Sequence, residues 1–294
     1  MAGHGAQQAF DLLARILVTP GKTVVAVEDP GYPLMRAAFA ASGAKIAPVP
    51  VDEEGLVVEK LPKDTRVIYV TPSHQFPLGM AMSLKRRTEL LAFAKARGAV
   101  IIEDDYDAEF RFGGRPLDAL QTLDEAGSVF YVGTFSKSLF PALRLGYVVA
   151  PPWALNALAA AKQVSVGHGA VLSQDTLTAF IAEGHLARHV RKVRRVYASR
   201  REALLDRFDN ELGEWLEAVP SHAGLHLTAL TKGKLDADQI AKRAWEAGIG
   251  VYSLRRYYLG RATKRGLIFG YGATPERTIA EGLKRLNQLL RTMK

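Results

Sequence analysis

Short apolar runs alternate with segments of helical period through the first half of the chain. Residues 24–27, 45–51, 66–70, 99–102, 128–132 and 146–150 read as strands, since brief apolar stretches between turn signals suit a sheet buried on both faces. Between them, residues 7–17, 32–42 and 83–97 read as helices; the last opens on Ser83 as an N-cap and stops at Gly98. This alternation predicts the α/β class, a mostly parallel sheet with helices on both faces. In such sheets ligands collect at the carboxyl ends of the strands.

After Pro151-Pro152 the texture changes. Residues 153–163, 172–181 and 187–212 look helical, the last as one long element. Residues 218–219, 225–230, 251–254 and 267–269 read as strands, separated by helices at 237–246 and 275–290. The pattern predicts a smaller α+β C-terminal domain over residues 166–294, joined by the long helix to a large α/β domain over residues 1–165. No internal repeat is visible.

Composition narrows the class. The 294 residues are 48% hydrophobic and 23% charged, ordinary for a globular chain with a sizeable core. No apolar run approaches the roughly 18 residues a membrane helix needs and no signal segment opens the chain, so a cytoplasmic protein without a membrane partner is expected. The absence of cysteine removes disulfides, thiolate catalysis and cysteine-ligated metals. A net charge of +9 makes an anionic partner worth weighing. The densest basic stretch, residues 185–201, places Leu186, Val190, Val193 and Tyr197 at three- and four-residue steps, which favours a solvated helix face over a nucleic-acid surface.

Four polar pieces fall at inferred element ends. Gly5-Ala-Gln-Gln8 opens a helix whose free N–H groups can hold a phosphate. Glu28-Asp-Pro-Gly-Tyr32 sets an aromatic ring on a turn, either to cover a planar cofactor or simply as a surface tyrosine. In the acidic run Glu103-Asp-Asp-Tyr-Asp107, one carboxylate can pair with a protonated pyridine nitrogen, and the Tyr106 hydroxyl can reach a phenolate oxygen. The competing readings there are a Mg²⁺ site and an acidic loop balanced by Arg111 and Arg115. Thr134-Phe-Ser136-Lys137 adds hydroxyls for a phosphate and an amine that desolvation can make nucleophilic, with Arg144 seven residues on as a forked cation. Alone, Lys137 is as well explained as a strand-end lysine that stays wet, and Arg144 as a strand-flanking charge. The joint occurrence points to pyridoxal phosphate (PLP) chemistry with no metal.

Together with Thr71-Pro-Ser-His-Gln-Phe-Pro-Leu-Gly79 and Gly133-Thr-Phe-Ser-Lys137-Ser-Leu-Phe-Pro-Ala-Leu-Arg144-Leu-Gly146, these motifs resemble class I aminotransferases of PLP fold type I. More narrowly, they resemble the aminotransferase-like effector domain of MocR/GabR-type regulators of the GntR family. The resemblance runs nearly end to end. It implies Lys137 as the internal aldimine lysine, Asp104 as the pyridinium partner, Tyr106 at the phenolate oxygen and Tyr32 over the ring. Gly5, Ala6, Thr134, Ser136 and Arg144 would surround the phosphate, with Gln7 and His74 also among the cofactor contacts. It further implies an arginine for the carboxylate of an amino-acid ligand, Arg256 in preference to Arg255, and a homodimer with the site at its interface. The regulators carry an N-terminal winged helix-turn-helix and a linker, and their effector domain begins several tens of residues earlier. Against that pattern the chain is expected to be N-terminally incomplete, with DNA contact only through a helix-turn-helix that these residues lack.

Three readings of function follow: a sensor in which an amino acid or amine reacts at the cofactor, an aminotransferase with sustained turnover, and a scaffold that has lost the cofactor. The sensor takes precedence. Intact Lys137, Asp104 and Tyr106 speak against the scaffold.

Overall fold

A computed structural model describes residues 1–113 and 118–293, so Arg115 lies outside the described residues. In chain order the elements are β1 Ala2–Gly3, α1 Gly5–Leu17, β2 Val24–Asp29, α2 Pro33–Ala41, β3 Lys45–Asp52, β4 Gly55–Leu56, β5 Thr65–Val70, α3 Leu84–Arg97, β6 Val100–Asp105, α4 Leu120–Leu123, β7 Val129–Thr134 and β8 Gly146–Val149. They continue with α5 Leu155–Val166, α6 Val171–Ala182, α7 His185–Leu212, β9 Leu216–Ala218, β10 His226–Thr231, α8 Ala237–Glu246, β11 Tyr252–Ser253, β12 Gly266–Gly270 and α9 Glu276–Arg291.

Eight strands form one sheet in the order β1-β8-β7-β6-β5-β2-β3-β4. Its middle, β7-β6-β5-β2-β3, is parallel, whereas β1, β4 and β8 join antiparallel. Side-chain alternation along a strand, with both faces covered, explains why β2, β5 and β6 carry runs of consecutive apolar residues. Val25, Val27, Val67, Tyr69 and Ile102 point into one core with α1 and α2, which contribute Phe10, Leu13 and Phe39. Ala26, Ile68, Val70 and Ile101 point the other way, against Leu90 and Ala94 of α3. α3 starts where the Ser83 hydroxyl accepts the Arg86 N–H at 3.1 Å, and it ends at Gly98, whose φ of 59° is the left-handed conformation glycine adopts without strain.

The second sheet, β11-β12-β10-β9, is antiparallel throughout. It buries one face against α8, α9 and the last third of α7, through Leu204, Phe208, Ile240, Leu283 and Leu286. The earlier part of α7 keeps its predicted stripe of Leu186, Val190, Val193 and Tyr197 half-buried and turns arginines outward, as an amphipathic surface helix does. Tyr197 packs edge-on against Phe110 at 4.9 Å.

Every long element the apolar pattern predicts is present, with ends shifted by a few residues. β1, β4 and α4 are two, two and four residues long, too short to leave a periodic signal. The strand expected at 251–254 narrows to Tyr252–Ser253, because Leu254–Tyr257 turns into a 3₁₀ helix. No helix among the described residues is long and apolar enough to cross a membrane.

Candidate active site at the strand ends

Because β2, β5, β6 and β7 run parallel, their carboxyl ends share one edge of the sheet and deliver Asp29, Val70, Asp105 and Thr134 to it. A cavity of about 670 Å³ opens there. Ala6, Gln7, Tyr32, Asp104, Tyr106, Thr134, Ser136, Lys137 and Arg144 all line it. Residues as far apart in sequence as Ala6 and Arg144 thus meet around one space, because antiparallel pairing sets Gly146 of β8 beside both Thr134 of β7 and Gly3 of β1.

Alternation along β6 separates the acidic run. Glu103 turns away and accepts the backbone N–H groups of Leu120 and Gln121, each at 2.9 Å. Asp105 accepts the Tyr131 hydroxyl at 2.6 Å. Asp104 faces the cavity, where its Oδ2 accepts the Tyr69 hydroxyl at 2.6 Å and its buried Oδ1 has no partner. Burial pushes the Asp104 carboxyl up to about 7, opposed by the Tyr69 hydrogen bond and by the Lys137 charge. An unpaired buried carboxylate oxygen of this kind lacks a cation donor, which a protonated ring nitrogen supplies. Glu103, Asp104 and Asp105 are thus held by different partners and do not converge on one point. Among the described residues the one trio with metal-ligand character is His74, Asp107 and His226, whose atoms lie within 4.8 Å of one another.

The other end of the cavity is basic and rich in donors. α1 begins at Gly5 with no side-chain cap, so its first N–H groups are free. Gly5 has φ 77°, and a side chain there would begin 3.6 Å from the Arg144 guanidinium. Arg144 itself adopts φ 51° and donates to the His4 carbonyl at 3.1 Å, which turns its fork toward the helix start. Thr134 and Ser136 add hydroxyls 3.0 Å apart. Helix dipole, guanidinium and hydroxyls at one place form a phosphate cradle.

Several expected residues sit elsewhere. Gly5 lies behind Arg144 and does not line the cavity itself. His74 is buried behind Tyr106. Its Nδ1 lies 3.0 Å from Asp107 Oδ2 and 2.9 Å from the Tyr106 hydroxyl, and the Ser221 hydroxyl is 3.3 Å from its Nε2. It therefore orients Tyr106 rather than meeting a ligand. Arg255 and Arg256 are exposed on the 3₁₀ turn and neither lines the cavity; Arg256 lies 5.5 Å from the centre of the Tyr252 ring. Lys137 is exposed rather than buried.

The structure also adds residues that sequence reasoning missed. Tyr69 reads from sequence as one more apolar strand residue, yet it fixes Asp104. Glu28 is buried beneath the site, accepts the Thr71 hydroxyl at 2.7 Å, and is pushed up to about 8 by burial. Phe76, Leu225, His226, Tyr252, Tyr257 and Ile268 complete the wall, most of them from the second sheet and its connections. No spacing in the sequence signals that these distant segments meet.

Residues 1–286 match the family of class I and II aminotransferases. The chain belongs to that family. It is 37% identical over 284 residues to the probable rhizopine catabolism regulatory protein MocR of Rhizobium meliloti, covering 96% of this chain and 57% of that protein. It is 30% identical over 301 residues to aromatic-amino-acid aminotransferase 1 of Thermococcus litoralis, covering 99% of this chain and 72% of that one. In structure it matches the α-aminoadipate aminotransferase LysN of Thermus thermophilus, solved with N-(5'-phosphopyridoxyl)-L-leucine, with a TM-score of 0.91 at 32% identity over 99% of this chain and 77% of that one. The fold is that of PLP-dependent transferases of fold type I, and membership of this family implies dependence on PLP. The chain spans less than two thirds of the length of the MocR-type regulators it matches.

Proposed function

We propose that this chain is a PLP-binding, aminotransferase-like domain of a MocR-type regulator, and that it senses an amino acid or amine at the cofactor. The observation that carries the reading is the buried, unpartnered Oδ1 of Asp104 in the same cavity as the Lys137 amine and the Arg144 cradle. The three groups match the ring nitrogen, aldehyde and phosphate of PLP. When bound, the cofactor supplies an aldehyde that condenses with primary amines and a ring that withdraws electrons from the adjacent carbon.

The residues divide the remaining work. Lys137 would offer its ε-amine to the aldehyde, and as a free amine at the cavity wall it would be a base able to move a proton. Asp104, pinned by Tyr69, keeps a proton on the ring nitrogen. Tyr106 would lie beside the phenolate oxygen; its hydroxyl donates to the His74 carbonyl at 3.0 Å and would have to turn from it to reach that oxygen. Tyr32 covers one ring face. Ala6, Gln7, Thr134, Ser136 and Arg144 hold the phosphate, and Gly5 lets Arg144 approach the helix start. Arg256, over the ring of the cavity-lining Tyr252, and Arg255 beside it are the candidates for a ligand carboxylate. The separate cores of the two sheets support a division at residues 1–165 and 166–294, and the family resemblance supports a homodimer.

Aminotransferase turnover is the second reading, favoured by an exposed Lys137 free to shuttle a proton and by the similarity to aminotransferases along almost the whole chain. One experiment separates the two. Addition of an amino compound to the PLP-loaded protein changes the cofactor absorbance in both cases, whereas repeated conversion of amino acid and keto acid occurs in the second alone.

A further inference from the structure

Resting on that reading, the shape of the cavity identifies the class of amino compound it takes. Phe76, to which the motif reading gives no role, stands at the centre of an aromatic wall. Its ring centroid lies 5.8 Å from Tyr32, 6.0 Å from Tyr106, 5.3 Å from His226 and 5.1 Å from Tyr257. All four contacts are edge-to-face, the arrangement that holds aromatic groups in fixed orientation. Two of these neighbours are assigned to the cofactor and two belong to the far side of the cavity, so Phe76 spans the step between cofactor and ligand.

Beyond Phe76 the surface continues with Leu225, Ile268 and Tyr252. His226 turns its Nε2 to the Pro77 carbonyl at 3.0 Å, and its ring lies 4.8 Å from that of His74. Among the described residues the cations lining the cavity are Lys137 and Arg144, one assigned to the aldehyde and the other to the phosphate. With Asp104 assigned to the ring nitrogen and Asp107 turned to His74 at 3.0 Å, no lining cation among the described residues is left to hold a second carboxylate on the ligand.

We propose that the compound recognised here is a primary amine or monocarboxylic amino acid with an apolar, preferably aromatic, body packed against Phe76, and that Phe76 sets this preference. A ring buried in such a wall gains the transfer free energy of its apolar surface together with oriented ring contacts, which converts to roughly a 10- to 100-fold difference in affinity.

The test titrates the PLP-loaded full chain with 2-phenylethylamine, L-phenylalanine, γ-aminobutyrate and L-glutamate, following the cofactor absorbance. The two aromatic compounds are expected to give half-saturation at concentrations at least about tenfold below the two that carry no ring. Phe76→Ala is expected to compress that ratio toward unity, and Phe76→Tyr to preserve it. Equal or tighter response to L-glutamate or γ-aminobutyrate in the unaltered chain overturns the inference, whether or not the variants fold. So does a Phe76→Ala protein that keeps the full aromatic preference. A chain that acquires no borohydride-reducible cofactor instead overturns the reading on which the inference rests, and the two failures are distinct.

Discussion

The Tyr69 hydroxyl donates to Asp104 Oδ2 at 2.6 Å and leaves Oδ1 of the same carboxylate buried and unpaired. The hydrogen bond favours the charged form, while burial drives the carboxyl up to about 7. Tyr69→Phe removes the bond, so the Asp104 carboxyl rises further. A smaller fraction is then ionised near neutrality, and PLP affinity at pH 7 is expected to fall by about tenfold, the value of one charge-assisted hydrogen bond. The loss shrinks at pH 9, where Asp104 ionises in either protein. Absorbance titrations with PLP at the two pH values check this; an equal loss at both points to a packing defect instead.

Arg144→Lys keeps a cation at the helix start but loses the fork that reaches phosphate with two N–H groups. The dissociation constant for PLP is expected to rise about tenfold, while pyridoxal, which lacks the phosphate, binds the two proteins equally. Competition with inorganic phosphate, weaker in the variant, gives a second measurement of the same contact.

Glu28 makes stability depend on pH in a calculable direction. In the unfolded chain it titrates near 4.5, and in the fold near 8. Between those values the folded protein holds a proton that the unfolded chain has released, so stability falls as pH rises through the window and the deficit is complete above about 8. Glu28→Gln retains an acceptor for Thr71 and carries no charge. Its gain over the parent is expected to be small at pH 4.5 and roughly 5 kcal/mol at pH 8.5, measured by urea denaturation at both. Asp104 adds a parallel dependence between 3.8 and about 7, which the variant leaves in place.

The second sheet depends on the apolar stripe of α9. Leu283 is buried among Leu204, Phe208 and Leu286. Leu283→Ala is expected to cost about 2–4 kcal/mol in denaturant unfolding, as cavity-forming core substitutions do. A cost below about 1 kcal/mol means the helix repacks freely.

Legibility in the sequence followed the range of the interactions. Apolar period exposed β2, β5, β6 and α3, because burial on two faces or one stripe is a local property of a few residues. The ordered motifs brought Lys137, Asp104, Tyr106 and Arg144 to one cavity, since parallel strands put their carboxyl ends on one edge whatever the loops do. What pairs with a side chain across the sheet stayed hidden: Tyr69 looks like any core aromatic until register places it beside Asp104. His74 read as a cofactor contact because it lies in a site motif, yet a second layer of hydrogen bonds turns it to Asp107. Arg255 and Arg256 were suggested by residue type, whereas their placement depends on a 3₁₀ turn that period does not reveal. Phe76 and Tyr257 are 181 positions apart, and only the packing of the second sheet against the first joins them.

Covalent attachment of the cofactor at one lysine underlies all of these expectations. Reconstitution with PLP, reduction with borohydride, and peptide mapping by mass spectrometry locate the site of attachment directly. The account predicts a phosphopyridoxyl group on Lys137, lost in Lys137→Ala. A label on another lysine, or a Lys137→Ala protein that still takes up the label in full, contradicts it.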